Sequence, residues 1–100
     1  MKKALLVLGG KYHPFEACGD ILMRCLGAAC EVEFDTTYDL DPLLELDGYD
    51  AVIIYTSTRD DMTPAQEKGL MDYVKAGGGL LGIHSATASF RSCDGYMEMI

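Results

Sequence analysis

Ala-Leu-Leu-Val-Leu-Gly-Gly, residues 4–10, is the stretch that decides the predicted fold. Five apolar residues followed by two glycines are typical of a strand buried on both faces, as in a parallel sheet covered by helices. A second continuous run, Ala-Val-Ile-Ile-Tyr, occupies 51–55. Shorter candidates lie at 31–34, where apolar and acidic residues alternate, and at 80–83. We therefore predict four strands, with 31–34 partly exposed.

Two amphipathic helices are predicted between these strands. Over 14–28, apolar residues recur at spacings of three and four, and Gly27 marks the expected end. The second helix, over 64–76, begins with a capping-box pattern at Thr63 and ends at the glycines 77–79. The residues that it is expected to bury are Leu70, Met71, Tyr73 and Val74.

The alternation of strands and helices indicates the fold class. Short helical segments are also expected at 41–46 and 94–100. Repeated strand–helix alternation implies a parallel sheet with right-handed crossovers and helices on its faces. One hundred residues suffice for a single domain, which we place at 1–100. The prediction is an α/β three-layer sandwich.

Composition and charge exclude several classes of protein. Eight basic and sixteen acidic side chains give a net charge of −8, which disfavours nucleic-acid backbones and anionic membrane surfaces. A hydrophobic fraction of 49% with 24% charged residues is typical of a globular domain. The first apolar run is too short for a signal peptide or a membrane span, so we expect a cytoplasmic protein.

The four cysteines predict neither a zinc knuckle nor a redox motif, because none forms a Cys-x-x-Cys pair. Disulfides are not expected in a cytoplasmic chain. Cys18 and Cys25 lie seven residues apart on one face of the first helix, and we interpret them as buried thiols.

Polar side chains follow three of the predicted strands, at the edge where a parallel sheet binds its ligands. Both histidines of the chain belong to this set. We predict His84 and His13 as the catalytic residues, acting as acid–base groups or as metal ligands. The residues predicted to bind substrate are Gly9, Gly10, Arg59, Asp60, Asp61 and Ser85. A divalent metal held by the histidines and Asp60 or Asp61 is one hypothesis, and a polar pocket without metal is the other.

The segment Gly82-Ile-His-Ser-Ala86 has the layout of a nucleophile elbow, Gly-x-nucleophile-x-Gly, at the end of a strand. His84 occupies the nucleophile position, Ser85 comes one residue later, and Ala86 replaces the final glycine. The serine or cysteine that would attack a carbonyl is therefore missing from the elbow. His84 could act there as an acid–base group, a metal ligand or a hydrogen-bonding residue.

The elbow and three other segments resemble the ThuA-like, or trehalose-utilisation, family. The segment 77–86, Gly-Gly-Gly-Leu-Leu-Gly-Ile-His-Ser-Ala, resembles the family signature, and 9–15 resembles its early glycine–histidine pattern. Weaker likenesses lie at 47–54 and 96–100. The resemblance implies a flavodoxin-like fold related to class I glutamine amidotransferases. Because family members are longer, it also implies that the fold is incomplete at the C-terminus.

The resemblance implies a role in carbohydrate metabolism, on trehalose-type disaccharides or keto-sugars, without glutaminase activity. One hypothesis is an enzyme, or part of one, acting on a sugar-derived ligand. The alternative is a non-catalytic binding or interaction domain that retains the amidotransferase-like fold. Neither nucleic acid nor membrane is an expected partner. The isolated chain is expected to be either marginally stable or a homo-oligomer, because four parallel strands leave sheet edges unpaired.

Overall fold

A computed structural model describes residues 2–100. Two 3₁₀ turns, Asp41–Leu44 and His84–Ala88, accompany its strands and α-helices. In chain order these are β1 (Lys2–Gly10), α1 (Phe15–Cys30), β2 (Val32–Thr37), β3 (Ala51–Ser57), α2 (Pro64–Lys75), β4 (Gly79–Gly82) and α3 (Asp94–Met99).

The four strands form one parallel sheet in the order β2-β1-β3-β4. The chain passes from β1 to β2 on one side and then to β3 on the other. The winding direction therefore reverses between β1 and β3, as in flavodoxin-like sheets. The predicted α/β fold with a parallel sheet between helices is confirmed.

Alternation along the central strands divides the core between the two faces of the sheet. Leu5 and Val7 of β1 pack in a cluster with Leu70 of α2 and Tyr96 of α3. Leu6 and Leu8 point the other way, into a cluster that α1 covers. Both sets are buried, which explains why β1 has no polar side chain between Ala4 and Leu8.

Helix α2 begins where the capping box predicts. The Thr63 hydroxyl accepts the backbone N–H of Gln66 at 3.2 Å, and the Gln66 side chain accepts the N–H of Thr63 at 2.9 Å. These two bonds satisfy donors that the first turn of a helix otherwise leaves free. The helix therefore has a defined start directly after the loop that follows β3.

Two helix predictions need correction. Helix α1 does not end near Gly27 but continues to Cys30, where Glu31 adopts φ +51° as its C-cap. The intervening Ala28 and Ala29 favour helix, so Gly27 alone does not stop it. On α2, only Leu70 of the expected apolar residues is fully buried, because the others, Met71, Tyr73 and Val74, lie at the margins of the core.

The outer strands of the sheet are less covered than the central ones. Strand β2 alternates half-buried and exposed side chains, as its sequence predicts. Strand β4 pairs with β3 and has no second strand partner within residues 2–100. Its Leu81 is 48% exposed. The homo-oligomer expected from unpaired edges stays a prediction.

Candidate functional site

The ends of β1, β3 and β4 meet at one edge of the sheet. Gly10 pairs with Ser57, and the N–H of Lys11 donates to the Ser57 carbonyl at 2.8 Å. At the end of β4, the N–H of Ile83 donates to the Ile54 carbonyl at 2.9 Å. This edge contains the point between β1 and β3 where the winding reverses, and open α/β sheets bind their ligands there.

Gly10 is required by this close approach of β1 to β3. Its φ is +117°, and a Cβ atom added to it would lie 1.9 Å from the Ser57 carbonyl oxygen. Any side chain would push the two strand ends apart. The pair of glycines therefore lets the loop after β1 turn directly over the end of β3.

His84 stands at the elbow after β4 with φ +53°, a conformation that costs a non-glycine residue energy. The N–H of Ala86 donates to the Ile83 carbonyl at 3.1 Å and closes the turn around it. The His84 side chain is exposed above the sheet edge.

The two histidines lie side by side. Their ring centroids are 5.0 Å apart with the planes at 86°. His13 is half-buried, with the rings of Phe15 and Tyr55 at 5.9 Å and 6.0 Å. We call His13, His84 and the surrounding aromatic rings the histidine cluster. Neither imidazole is sealed in the core, so both are open to a ligand above the edge.

Ser85 joins the histidine cluster by a direct polar contact. Its Oγ lies 3.1 Å from Nε2 of His13, within hydrogen-bond distance. Ser85 was predicted only as a substrate-binding residue. The contact spans 72 positions along the chain, so it depends on the folded sheet and not on any local motif.

Arg59, in the loop after β3, contacts the end of β1. Its guanidinium donates to the carbonyl of Leu8 at 2.6 Å and to that of Tyr38. Burial lowers the pKa of Arg59, while the carboxylates of Asp39 and Asp60 act in the opposite direction. The side chain therefore braces β1 against the segment after β2.

Arg59 also lines a groove that the histidines do not. The groove consists of two adjoining cavities of about 410 Å³ and 320 Å³. The residues common to both are Lys11, Thr58, Arg59, Asp60 and Asp61. Gly9, Gly10, Tyr38 and Leu40 line the larger cavity, and Ala88 and Arg91 line the smaller one. The predicted site residues thus fall into the histidine cluster and this basic–acidic groove.

The loop after β3 is tied to the segment after the elbow. The Thr56 hydroxyl donates to Oγ of Ser89 at 2.8 Å, and the N–H of Arg59 donates to the same oxygen at 3.4 Å. Asp61 accepts the backbone N–H of Ser92 at 3.2 Å. These contacts fix one wall of the groove, while the Asp60 side chain is exposed.

The hypothesis of a metal held jointly by histidines and aspartates is not supported by this placement. Within residues 2–100, no three His, Cys, Asp or Glu side chains come close enough together to hold an ion. Asp60 and Asp61 lie on the groove, whereas His13 and His84 form the separate pair described above. The third ligand that the sequence suggested is therefore not beside the histidines.

Comparison with known proteins identifies the family of the chain. The sequence model of the ThuA family, described as trehalose utilisation, matches residues 3–100. The chain belongs to the ThuA family. The family that the sequence resembles is thereby confirmed.

One solved structure has a fold similar to that of this chain. It is described as a ThuA-like protein from Bacteroides uniformis, with a TM-score of 0.67 and 23% sequence identity. The match covers 86% of this chain and 37% of that one, so the chain spans little more than a third of that relative's length. No curated protein sequence matches the chain.

Two basic residues of the groove were not predicted from the sequence. Lys11 and Arg91 line the groove, and neither takes part in a salt bridge within residues 2–100. Lys11 follows Gly10 directly, so its place at the edge could have been inferred. Arg91 could not, because the segment after the elbow has no periodic pattern that predicts its path.

The burial of the cysteines agrees only in part with the prediction. Cys93 is buried, and burial raises the pKa of its thiol. Cys18 is half-buried, and its contact with Tyr55 raises the pKa of the Tyr55 hydroxyl. Cys25 is exposed, which corrects its interpretation as a buried thiol, because α1 turns this position to solvent.

Among the helices in residues 2–100, none has the length and apolar character needed to cross a membrane. The predicted cytoplasmic location stays a prediction.

Proposed function

We propose that the chain is an enzyme, or the part of one, that acts on a sugar-derived small molecule, with His13 and His84 as its acid–base groups. The observation that carries the proposal is the pair of imidazoles 5.0 Å apart at an open sheet edge. A proton donor and a proton acceptor at such a distance can serve two atoms of one small substrate. The family description, trehalose utilisation, supports the sugar class.

The groove provides the binding groups that a hydroxyl-rich ligand needs. Carboxylates of Asp60 and Asp61 can accept hydrogen bonds, and the side chains of Lys11 and Arg91 can donate them. Gly10 is exposed and leaves its backbone accessible to a ligand, whereas Gly9 is buried beside the Arg59 guanidinium. Arg59 shapes this wall through its carbonyl contacts and adds positive charge.

Glutaminase activity is not expected of this chain. Amide cleavage by the amidotransferase route passes through a thioester, which needs a thiolate, and His84 stands at the elbow where that thiol would be. Incubation with glutamine should release no ammonia above the buffer background. Ammonia release that disappears in a His84→Ala variant would contradict the proposal.

Catalysis is tested with trehalose and with a keto-disaccharide as probes, by following the sugar with NMR. The wild-type chain should convert at least one of the two, and His84→Gln should lower kcat/KM by about 10²–10⁴. Arg24→Gln, on the exposed side of α1, is the matched control and should keep full activity. Conversion of neither sugar would contradict the enzymatic proposal.

A non-catalytic binding domain is the second candidate, because the groove of polar and charged side chains is lined without His13 or His84. In that case line broadening of sugar signals by the chain would occur without conversion. It would depend on the groove residues and not on His84. The same NMR experiment therefore separates the two candidates.

A further inference from the structure

Ser85 differs from the other serines that the structure describes. Ser57 is buried, Ser89 is buried and bonded to Thr56, and Ser92 is exposed on the loop before α3. Of the serine hydroxyls within residues 2–100, only that of Ser85 makes a hydrogen-bond contact with a histidine. Its oxygen lies 3.1 Å from Nε2 of His13. A serine becomes a useful nucleophile when an adjacent base can take its proton.

The His13 ring is held in the orientation that this role needs. The rings of Phe15, Tyr55 and His84 surround it with centroid distances of 5.0–6.0 Å. In catalytic triads a third polar group orients the histidine, whereas here aromatic packing on three sides does so. With its proton on Nδ1, the neutral ring presents the Nε2 lone pair to Ser85.

The turn at the elbow makes Ser85 accessible. His84 takes the left-handed conformation, and Ser85 follows as the second residue of the 3₁₀ turn His84–Ala88. Ser85 is half-buried, at the same open edge as His13 and His84. The elbow therefore presents a hydroxyl one residue later than the nucleophile position of the Gly-x-nucleophile-x-Gly pattern.

We propose that Ser85 and His13 form a nucleophile–base pair that cleaves small carboxylic esters, with O-acylated sugars as the substrate class. Ser85 Oγ forms a bond to the acyl carbon while its proton passes to Nε2 of His13. The ester C–O bond then breaks, and His13 returns that proton to the departing alcohol oxygen. In the second step His13 takes a proton from water, whose oxygen bonds to the acyl carbon. The bond from that carbon to Ser85 Oγ then breaks, and His13 returns the proton to Oγ as the acid leaves. Only the sugar portion of the substrate rests on the proposed function.

The first test uses diisopropyl fluorophosphate, which reacts with activated serines by losing fluoride and needs no sugar. Intact-protein and peptide mass spectra should show one adduct, on Ser85. The adduct should disappear in Ser85→Ala and persist in the matched control Ser92→Ala. Absence of labelling in the folded chain, or an adduct on another serine, would overturn the proposal.

The second test asks whether His13 activates the serine. His13→Ala and the more conservative His13→Gln should each slow labelling by about 10²-fold or more. Thermal melts identify which variants are folded, and Gln keeps the volume near the aromatic rings if Ala does not fold. Labelling in a folded variant at the wild-type rate would contradict a role for His13 as base.

The outcomes of the two proposals are separable. Labelling of Ser85 with hydrolysis of p-nitrophenyl acetate, but no action on any sugar, keeps the nucleophile and rejects the sugar-directed function. Conversion of trehalose or a keto-disaccharide without Ser85 labelling keeps the proposed function and rejects the nucleophile.

Discussion

The two faces of the sheet differ in how many residues they bury. Below α2 and α3, thirteen buried residues form one cluster, including Leu70 and Tyr96 with no exposed side-chain surface. Below α1, six buried residues form the other cluster, and α1 itself contributes Phe15 as its buried apolar side chain. Since stability scales with buried apolar area, most of it should come from the first face.

The histidine cluster lies at the face with fewer buried residues, which α1 covers. Phe15 and Tyr55 belong to the α1-side cluster and also surround His13. The left-handed His84 stands at the same edge. Strain at a reactive residue is tolerated when other parts of the fold supply the stability. The contrast between the faces therefore separates what holds the fold together from what is exposed to a ligand.

The largest effect is expected for Leu70→Ala. Leu70 is completely buried, and removing its side chain leaves a cavity in the larger cluster, at a cost of about 2–5 kcal/mol. Leu22→Ala, at a half-buried position on α1, is the matched change on the other face and should cost clearly less. Urea unfolding of both variants gives the comparison. Equal losses would remove the difference between the faces.

Tyr96→Phe should destabilise the same face more modestly. The Tyr96 hydroxyl donates to the Ala86 carbonyl at 2.8 Å in a buried setting, so the variant leaves that oxygen without this partner. The expected loss of unfolding free energy is about 1–2 kcal/mol. Tyr12→Phe, at a side chain that is 85% exposed, is the control and should leave stability unchanged.

At the elbow, glycine should be more stable than alanine, the reverse of the usual order. His84→Gly should be more stable than His84→Ala by about 1 kcal/mol, because only glycine accepts φ +53° without cost. In ordinary helical or strand positions alanine is the more stable of the two. Thermal melts of the pair measure the difference. If the alanine variant melts higher, the elbow does not store strain.

The smallest effect is an alkaline loss of stability from the larger cluster. Burial raises the pKa of Tyr96 to about 12, above the ordinary value of 10.0. Between these values the unfolded chain releases the proton and the folded chain keeps it, so stability falls as pH rises. At pH 10.5 the loss is below about 1 kcal/mol. The part due to this group should vanish in Tyr96→Phe, as urea midpoints at pH 8 and pH 10.5 would show.

Much of the fold could be predicted because its signals are local. The apolar run at 4–8 and the capping box at Thr63 each specify one element from adjacent residues. The end of α1 was harder, since Gly27 was expected to stop a helix that the following alanines continue. Boundaries depend on small differences in propensity, whereas long apolar runs do not.

The site was predictable only as a location. The rule that ligands bind at the carboxyl edge placed His13 and His84 on one edge, and the structure brings their rings together. The Ser85–His13 contact and the bonds from Arg59 to two carbonyls depend on distant segments meeting. No spacing in the sequence encodes such contacts, because only the folded chain brings the segments together.

The buried hydroxyl pair of Thr56 and Ser89 joins the two halves of the candidate site mechanically. Ser89 Oγ accepts both the Thr56 hydroxyl and the Arg59 N–H, and the Phe90 N–H donates to the Arg59 carbonyl at 3.2 Å. A ligand that displaces the groove wall must therefore also shift the backbone after the elbow. In amide hydrogen exchange the two segments should open as one cooperative unit, although about thirty residues separate them along the chain.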